Sequence, residues 1–136
     1  MRDDKEKLDK ILECIDRIID YTKQGKDEYF ANTMIQDAVV RNLQVLGDCF
    51  KDLSEELKQQ NADVEWKDAA RFRDKVTHDY FDIDQTKVWA VVENKLDPLR
   101  KKIEDIHRRL VYKVPGEHQR PGTLEQKLND KNEEVN

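Results

Sequence analysis

The sequence predicts an all-α fold, and three observations support that prediction. Charged residues make up 40% of the 136-residue chain and hydrophobic residues 37%, with only four glycines and three prolines. This composition is typical of long amphipathic helices and unfavourable to a sheet. Apolar residues recur at steps of three and four along most of the chain, which places them on one helical face. A chain of this length is expected to form one domain around a single core.

The first two apolar stripes predict two helices. The first runs over residues 3–22 and ends before Gly25, and the second begins at residue 27 or 32 and ends near residue 60. Gly47 lies inside the second stripe. A glycine within an exposed helix costs about 1 kcal/mol relative to alanine. We therefore interpret Gly47 as a point of close helix packing.

A third helix is predicted from about Glu65 and a fourth over residues 84–112. Asp84 is expected to be the N-cap of the fourth, because its short side chain can accept a hydrogen bond from the first turn. The apolar seam of this helix is close to a heptad repeat. Pro98 interrupts it, and since proline lacks an N–H we expect a kink there, or a break capped by Asp97.

The periodic pattern ends near residue 112. We expect residues 1–112 to form the helical domain and residues 113–136 a flexible polar tail, because the tail has few apolar residues and no periodicity. Taken together, the pattern predicts a four-helix all-α domain whose long helices can also supply a dimer seam.

Composition and charge narrow the function classes. No apolar run reaches the ~18 residues of a membrane span, and the charged amino terminus excludes a signal peptide. Cys14 and Cys49 have no metal-ligand spacing, so we interpret them as reduced core residues of a cytoplasmic protein. The net charge of −5 argues against a protein that coats nucleic acid electrostatically, while leaving room for a local basic patch.

The stretch RFRDKVTHDYFDID, residues 71–84, has the chemistry of a candidate active site. An arginine binds phosphate oxygens in a bidentate manner and stays charged at any working pH. A histidine exchanges a proton near neutrality. Because RNA supplies its own nucleophile, the 2′-hydroxyl, Arg73 and His78 form the minimum set for cleaving it, and the reaction needs no metal in principle.

Helical geometry raises a question about this pair. Asp74 and His78 are one turn apart, so the carboxylate can orient the imidazole. Arg73 and His78 are five residues apart, about 140° around a helix of 3.6 residues per turn. Either the helix ends near Thr77 and turns His78 back, or a second subunit completes the site. The neighbouring aromatic side chains are interpreted as core residues rather than base-stacking platforms: Trp66, Phe72 and Trp89.

Residues 73–80, RDKVTHDY, match the Arg-x4-His-x-Tyr motif of the HepT-like branch of HEPN ribonucleases. Three longer segments resemble the second helix, the motif helix and the last long helix of that family: DAVVRNLQVLGDCFKDLS, WKDAARFRDKVTHDYFDID and VWAVVENKLDPLRKKI. The resemblance covers about residues 5–110. It implies a HEPN-type bundle of four to five helices that forms a two-fold dimer.

The resemblance also implies a function. Arg73 and His78 would be the catalytic pair of a metal-independent endoribonuclease without a cofactor, with Asp74 as a supporting residue. The chain would be the toxin of a type VII-like toxin–antitoxin pair that acts on cellular RNA, with tRNA as one candidate. A minimal nucleotidyltransferase antitoxin would attach AMP to Tyr80, which adds bulk and negative charge where RNA phosphate must lie. The rival hypothesis is a non-catalytic helical binding subunit of a nucleotidyltransferase complex.

Two stretches are locally basic although the chain as a whole is acidic. Residues 66–78 and 98–113 each contain more lysine and arginine than aspartate and glutamate. We expect them to form a locally positive groove for RNA, and for residues 98–113 the alternative is a solvated face of alternating charges.

Overall fold

The computed structural model describes residues 2–78 and 82–112. In chain order the helices are α1 (Arg2–Tyr21), α2 (Lys26–Ala31), α3 (Thr33–Asp52), α4 (Glu55–Gln60), α5 (Trp66–His78), α6 (Gln85–Asn94) and α7 (Leu96–Val111). The described residues contain no strand, which confirms the predicted all-α class. The predicted tail, residues 113–136, lies outside the described residues. None of the described helices is long and apolar enough to cross a membrane.

The core forms where α1 packs against α3 and α7, and α5 adds a further layer by packing against α3. Both cysteines are free and buried in this core, and burial raises the pKa of each thiol. That agrees with their interpretation as small core residues. Most of the fully buried side chains of the core come from the predicted apolar stripes: Leu8, Ile11, Cys14, Ile15, Ile18, Val39, Phe50, Val88, Leu96 and Ile103. Tyr29 is fully buried as well, although it was not part of a predicted stripe.

Of the two predicted starts of the second helix, residue 32 is confirmed, because Asn32 is the N-cap of α3. The predicted end near residue 60 was wrong, because Ser54 begins a separate helix, α4. The Asn32 side chain accepts hydrogen bonds of 3.0 and 3.3 Å from two backbone N–H groups in the first turn of α3. Ser54 caps α4 by accepting a 3.2 Å bond from the Leu57 N–H. The turn is fixed to α1, since Ser54 donates from its backbone N–H and its hydroxyl to the buried Asp4 at 2.9 and 2.6 Å.

The fourth predicted helix is also divided, into α6 and α7. Asp84 is its N-cap as predicted, and accepts a 2.9 Å hydrogen bond from a backbone N–H in the first turn of α6. The break falls at Lys95 rather than at Pro98. Pro98 lies in the first turn of α7, where a helix does not need the missing N–H. Asp97 is therefore a first-turn residue and not the cap that was predicted.

The aromatic residues near the motif belong to the core, as interpreted. The rings of Trp66 and Phe50 lie 5.1 Å apart, and those of Trp89 and Tyr29 lie 5.2 Å apart. Phe72 is half-buried against the same cluster. These side chains stabilise the bundle and are not free to stack on bases.

Candidate active site

The motif helix α5 lies in direct contact with the backbone of α3. A Cβ atom built on Gly47 would overlap the Cβ of Arg73 and lie 2.5 Å from its Cγ. Such an overlap is not tolerated without movement, so only glycine allows this approach. The interpretation of Gly47 as a point of close helix packing is confirmed. The residue of α5 that Gly47 contacts is Arg73, the arginine of the motif.

The guanidinium of Arg73 lies between two carboxylates. Its Nε is 2.7 Å from Asp48 Oδ1, an ion pair at contact distance whose N–H is not aligned as a hydrogen bond. Its Nη1 donates to Asp74 Oδ1 at 3.2 Å. The side chain is 25% exposed. Among the described residues, Nη2 makes no hydrogen bond or ion pair, so one edge of the fork is available to a phosphate.

Asp74 is bound from α3 as well. It accepts a 2.7 Å hydrogen bond from Lys51 Nζ. That bond, followed by the one from Arg73, lowers the pKa of the Asp74 carboxyl below its usual value. Within the described part of the chain, its side-chain partners are Lys51 and Arg73 and do not include His78. The orientation of His78 by Asp74 stays a prediction.

His78 is exposed and is the last residue of α5. The helix ends close to the position predicted, yet Thr77 and His78 both keep helical backbone. Arg73 and His78 are therefore about 140° apart around α5. Over the described residues, a single chain does not bring the two side chains onto one face. Tyr80 lies outside the described residues, together with Asp79 and Phe81.

Sequence reasoning missed two residues of this arrangement, Asp48 and Lys51. Both belong to the face of α3 that meets α5, and each contacts one member of the Arg73–Asp74 pair. The signal that could have located them is Gly47, which marks the point of contact and directly precedes Asp48.

An apolar groove of about 500 Å³ lies on the inner side of α5. Its lining includes Leu43 of α3, Phe72 of α5 and Leu99 of α7. Neither Arg73 nor His78 is part of it. The candidate site is therefore the polar outer edge of α5 and not this groove.

The Gly47 contact leads to a testable prediction about stability. In an exposed helix, glycine to alanine stabilises by about 1 kcal/mol. At residue 47 the new methyl group would overlap the stem of Arg73, and overpacking typically costs about 1–3 kcal/mol. We expect Gly47→Ala to lower the Tm by several degrees, as measured by circular dichroism during heating.

A double-mutant cycle provides the control for that prediction. Arg73→Gly removes both atoms that the new methyl group would overlap, so Gly47→Ala should stabilise the Arg73→Gly chain. The same effect of Gly47→Ala in both backgrounds would show that residues 47 and 73 do not interact as described.

Comparison with known proteins agrees with the predicted family and with the all-α fold. Residues 11–106 match the model of the family described as Ribonuclease HepT-like. The chain belongs to the HepT-like ribonuclease family, as the resemblance of its motif and helices predicted. No solved structure gives a significant match to the chain.

Several relatives are named as ribonucleases. A Methanocaldococcus jannaschii protein provisionally named an RNase is 40% identical over 97 residues, which are 71% of this chain and 80% of that protein. The "Probable ribonuclease HepT" of Thermococcus cleftensis is 29% identical over 108 residues, 79% of this chain and 98% of the relative. A second M. jannaschii protein, named a gamma-glutamylcyclotransferase and provisionally an RNase, is 34% identical over 110 residues. That match covers 80% of this chain but only 50% of the longer relative.

Proposed function

We propose that the chain is an endoribonuclease that cleaves cellular RNA without a metal ion, with Arg73 and His78 as its catalytic residues. The observation that carries the proposal is the Arg-x4-His-x-Tyr motif of a HepT-like chain, whose arginine and histidine lie on α5. Two features of the fold support it. Arg73 is held against α3 with one edge of its guanidinium free, and His78 is exposed to solvent.

The proposed reaction uses the 2′-hydroxyl of the RNA as nucleophile. His78 takes the proton of that hydroxyl, and the oxygen attacks the adjacent phosphorus. Arg73 binds the non-bridging phosphate oxygens and stabilises the charge that develops on them. The P–O5′ bond breaks as the O2′–P bond forms, which leaves a 2′,3′-cyclic phosphate, and the 5′-oxygen takes up a proton.

A two-fold dimer is part of the proposal. One chain leaves Arg73 and His78 on different faces of α5, and α5 packs mainly against α3, so its outer side is open to a partner. A dimer in which two α5 helices face each other across an open cleft would bring Arg73 of one chain toward His78 of the other, with the outer basic side chains of α5 lining that cleft. In such a shared site Arg73 also stabilises the leaving 5′-oxygen, so one histidine is sufficient.

Cleavage of total RNA in the presence of EDTA tests the nuclease proposal. A metal-independent enzyme keeps its activity in the chelator, so we expect the purified chain to cut RNA at the same rate with and without EDTA. A chain that binds RNA or a nucleotidyltransferase but cuts nothing in either buffer is the non-catalytic binding subunit instead.

We further propose that the chain is the toxin of a toxin–antitoxin pair and that a nucleotidyltransferase antitoxin attaches AMP to Tyr80. The motif places this tyrosine two residues after His78. An AMP group adds negative charge beside the position proposed for the RNA phosphate, so it would repel the substrate.

The modification has its own test. Co-expression with a neighbouring nucleotidyltransferase gene is expected to raise the intact mass of the chain by one or more AMP units, with loss of RNA cleavage. Tyr80→Phe should abolish the mass increase. Tyr112→Phe is the matched control, because Tyr112 lies outside the motif and has an exposed fraction of 42%, and it should leave the increase unchanged. An increase that survives Tyr80→Phe would exclude Tyr80 as the target.

A further inference from the structure

A row of basic side chains runs along the outer face of α5. Lys67, Arg71 and Lys75 follow one another at four-residue steps, His78 comes three residues later, and all four are exposed. On a helix of 3.6 residues per turn they lie within an arc of about 80°. The buried Val76 is on the opposite side of the helix. We name Lys67, Arg71 and Lys75 the α5 basic stripe.

The charges of the α5 basic stripe are not used by the fold. Lys67 and Lys75 make no ion pair with a described residue. Arg71 pairs with Asp68 on its own helix, and both side chains are more than half exposed, so that pair is weak and easily broken. Like charges one turn apart destabilise a helix. Helix stability therefore does not explain why Lys67, Arg71 and Lys75 follow one another at one-turn spacing.

The basic side chains of α7, in the second basic stretch, differ in this respect. They are paired within the described chain: Arg100 with Asp16 and Glu104, Lys101 with Asp97, Lys102 with the Asp63 carbonyl, and Arg108 and Arg109 with Asp105. The structure thus distinguishes the two basic stretches, residues 66–78 and 98–113, by the pairing of their charges. The α7 stretch is a solvated face of paired charges, while on α5 Lys67 and Lys75 have no ion-pair partner among the described residues.

We propose that the α5 basic stripe is a track for the phosphate backbone of single-stranded RNA, which leads the strand to His78. This inference rests on the proposed ribonuclease function and specifies how its substrate is held. Lysine and arginine side chains in a row bind successive phosphates without reading the bases. From Lys67 to Lys75 the helix rises about 12 Å, so the track holds the RNA on one side of the phosphate that is cut.

The test uses chains with the His78→Ala substitution, so that RNA is bound but not cleaved. The stripe variant carries Lys67→Gln, Arg71→Gln and Lys75→Gln. The control variant carries Lys23→Gln, Lys101→Gln and Arg108→Gln, which removes the same charge from ion-paired positions. Binding of a labelled unstructured RNA is measured by fluorescence anisotropy at several KCl concentrations, and circular dichroism verifies that both variants fold.

We expect the stripe variant to bind RNA about tenfold more weakly or worse at low salt. The slope of log affinity against log salt should fall by about 2, since each phosphate contact of a single strand contributes about 0.7. The control variant should keep the slope of the His78→Ala chain. If the stripe variant binds RNA as tightly as the His78→Ala chain, or if the stripe and control variants lose the same affinity, the track proposal is overturned.

Two further outcomes separate this proposal from the proposed function. If the wild-type chain binds RNA through the stripe but does not cut it with or without EDTA, the nuclease proposal fails and the track proposal stands. A stripe variant that binds RNA normally but no longer binds the nucleotidyltransferase shows a protein-docking surface, and that result also overturns the track.

Discussion

His78→Ala is expected to lower the rate of RNA cleavage in EDTA by about three orders of magnitude, within the range of 10²–10⁴ that a positioned acid or base contributes. The imidazole is the proposed group that removes the proton of the 2′-hydroxyl, and alanine cannot replace it. Because His78 is exposed at the end of α5, its loss should change the Tm little. The rate is measured with enzyme in excess over a labelled RNA, so that product release does not limit it.

The matched control for this experiment is His107→Ala. His107 lies on α7, where its Nε2 is 2.5 Å from Asp9 Oδ1, and it is not part of the motif. Its removal takes away a half-buried imidazole, 24% exposed, and should leave the cleavage rate within about twofold, as expected for a substitution away from the site. Equal losses for the two variants, or no loss for His78→Ala, would remove His78 from the proposed mechanism.

The helices could be predicted from sequence because apolar periodicity reports the buried face. Their ends could not, and the segment from α3 to α4 shows the reason. The stripe continues through Leu53 and Leu57, both of which are buried, because the chain turns at Ser54 without leaving the core. Periodicity alone cannot detect such a turn. The local evidence was the capping residue Ser54, whose signal is weak beside a continuous stripe.

The motif residues could also be predicted, while their neighbours could not. Arg73 and His78 are identified by their type and spacing. Asp48 and Lys51 contact the motif only because α3 packs against α5, and the Lys51–Asp74 bond joins residues 23 positions apart. The sequence of a single chain does not show which helices pack against each other. Helical spacing placed Asp74 beside His78, and the structure adds Lys51 as a partner that spacing could not reveal.

The separation of Arg73 and His78 around α5 predicts that two subunits share one catalytic site. Arg73→Ala and His78→Ala chains should each be inactive, and a mixture of the two should recover about a quarter of the wild-type activity, given random pairing in two-fold dimers. Half of the dimers are then mixed. In each mixed dimer, Arg73 from one chain meets His78 from the other at one of two sites. Recovery follows only if the catalytic pair is shared between chains.

Two affinity tags allow the mixed dimer to be purified from co-expressed chains, and its cleavage rate should be about half that of the wild-type dimer. The parent dimers, purified in the same way, provide the background. An inactive mixed dimer would mean that Arg73 and His78 act within one chain. Light scattering on the wild-type chain tests whether it forms a dimer, since a monomer that cuts RNA would exclude the shared site.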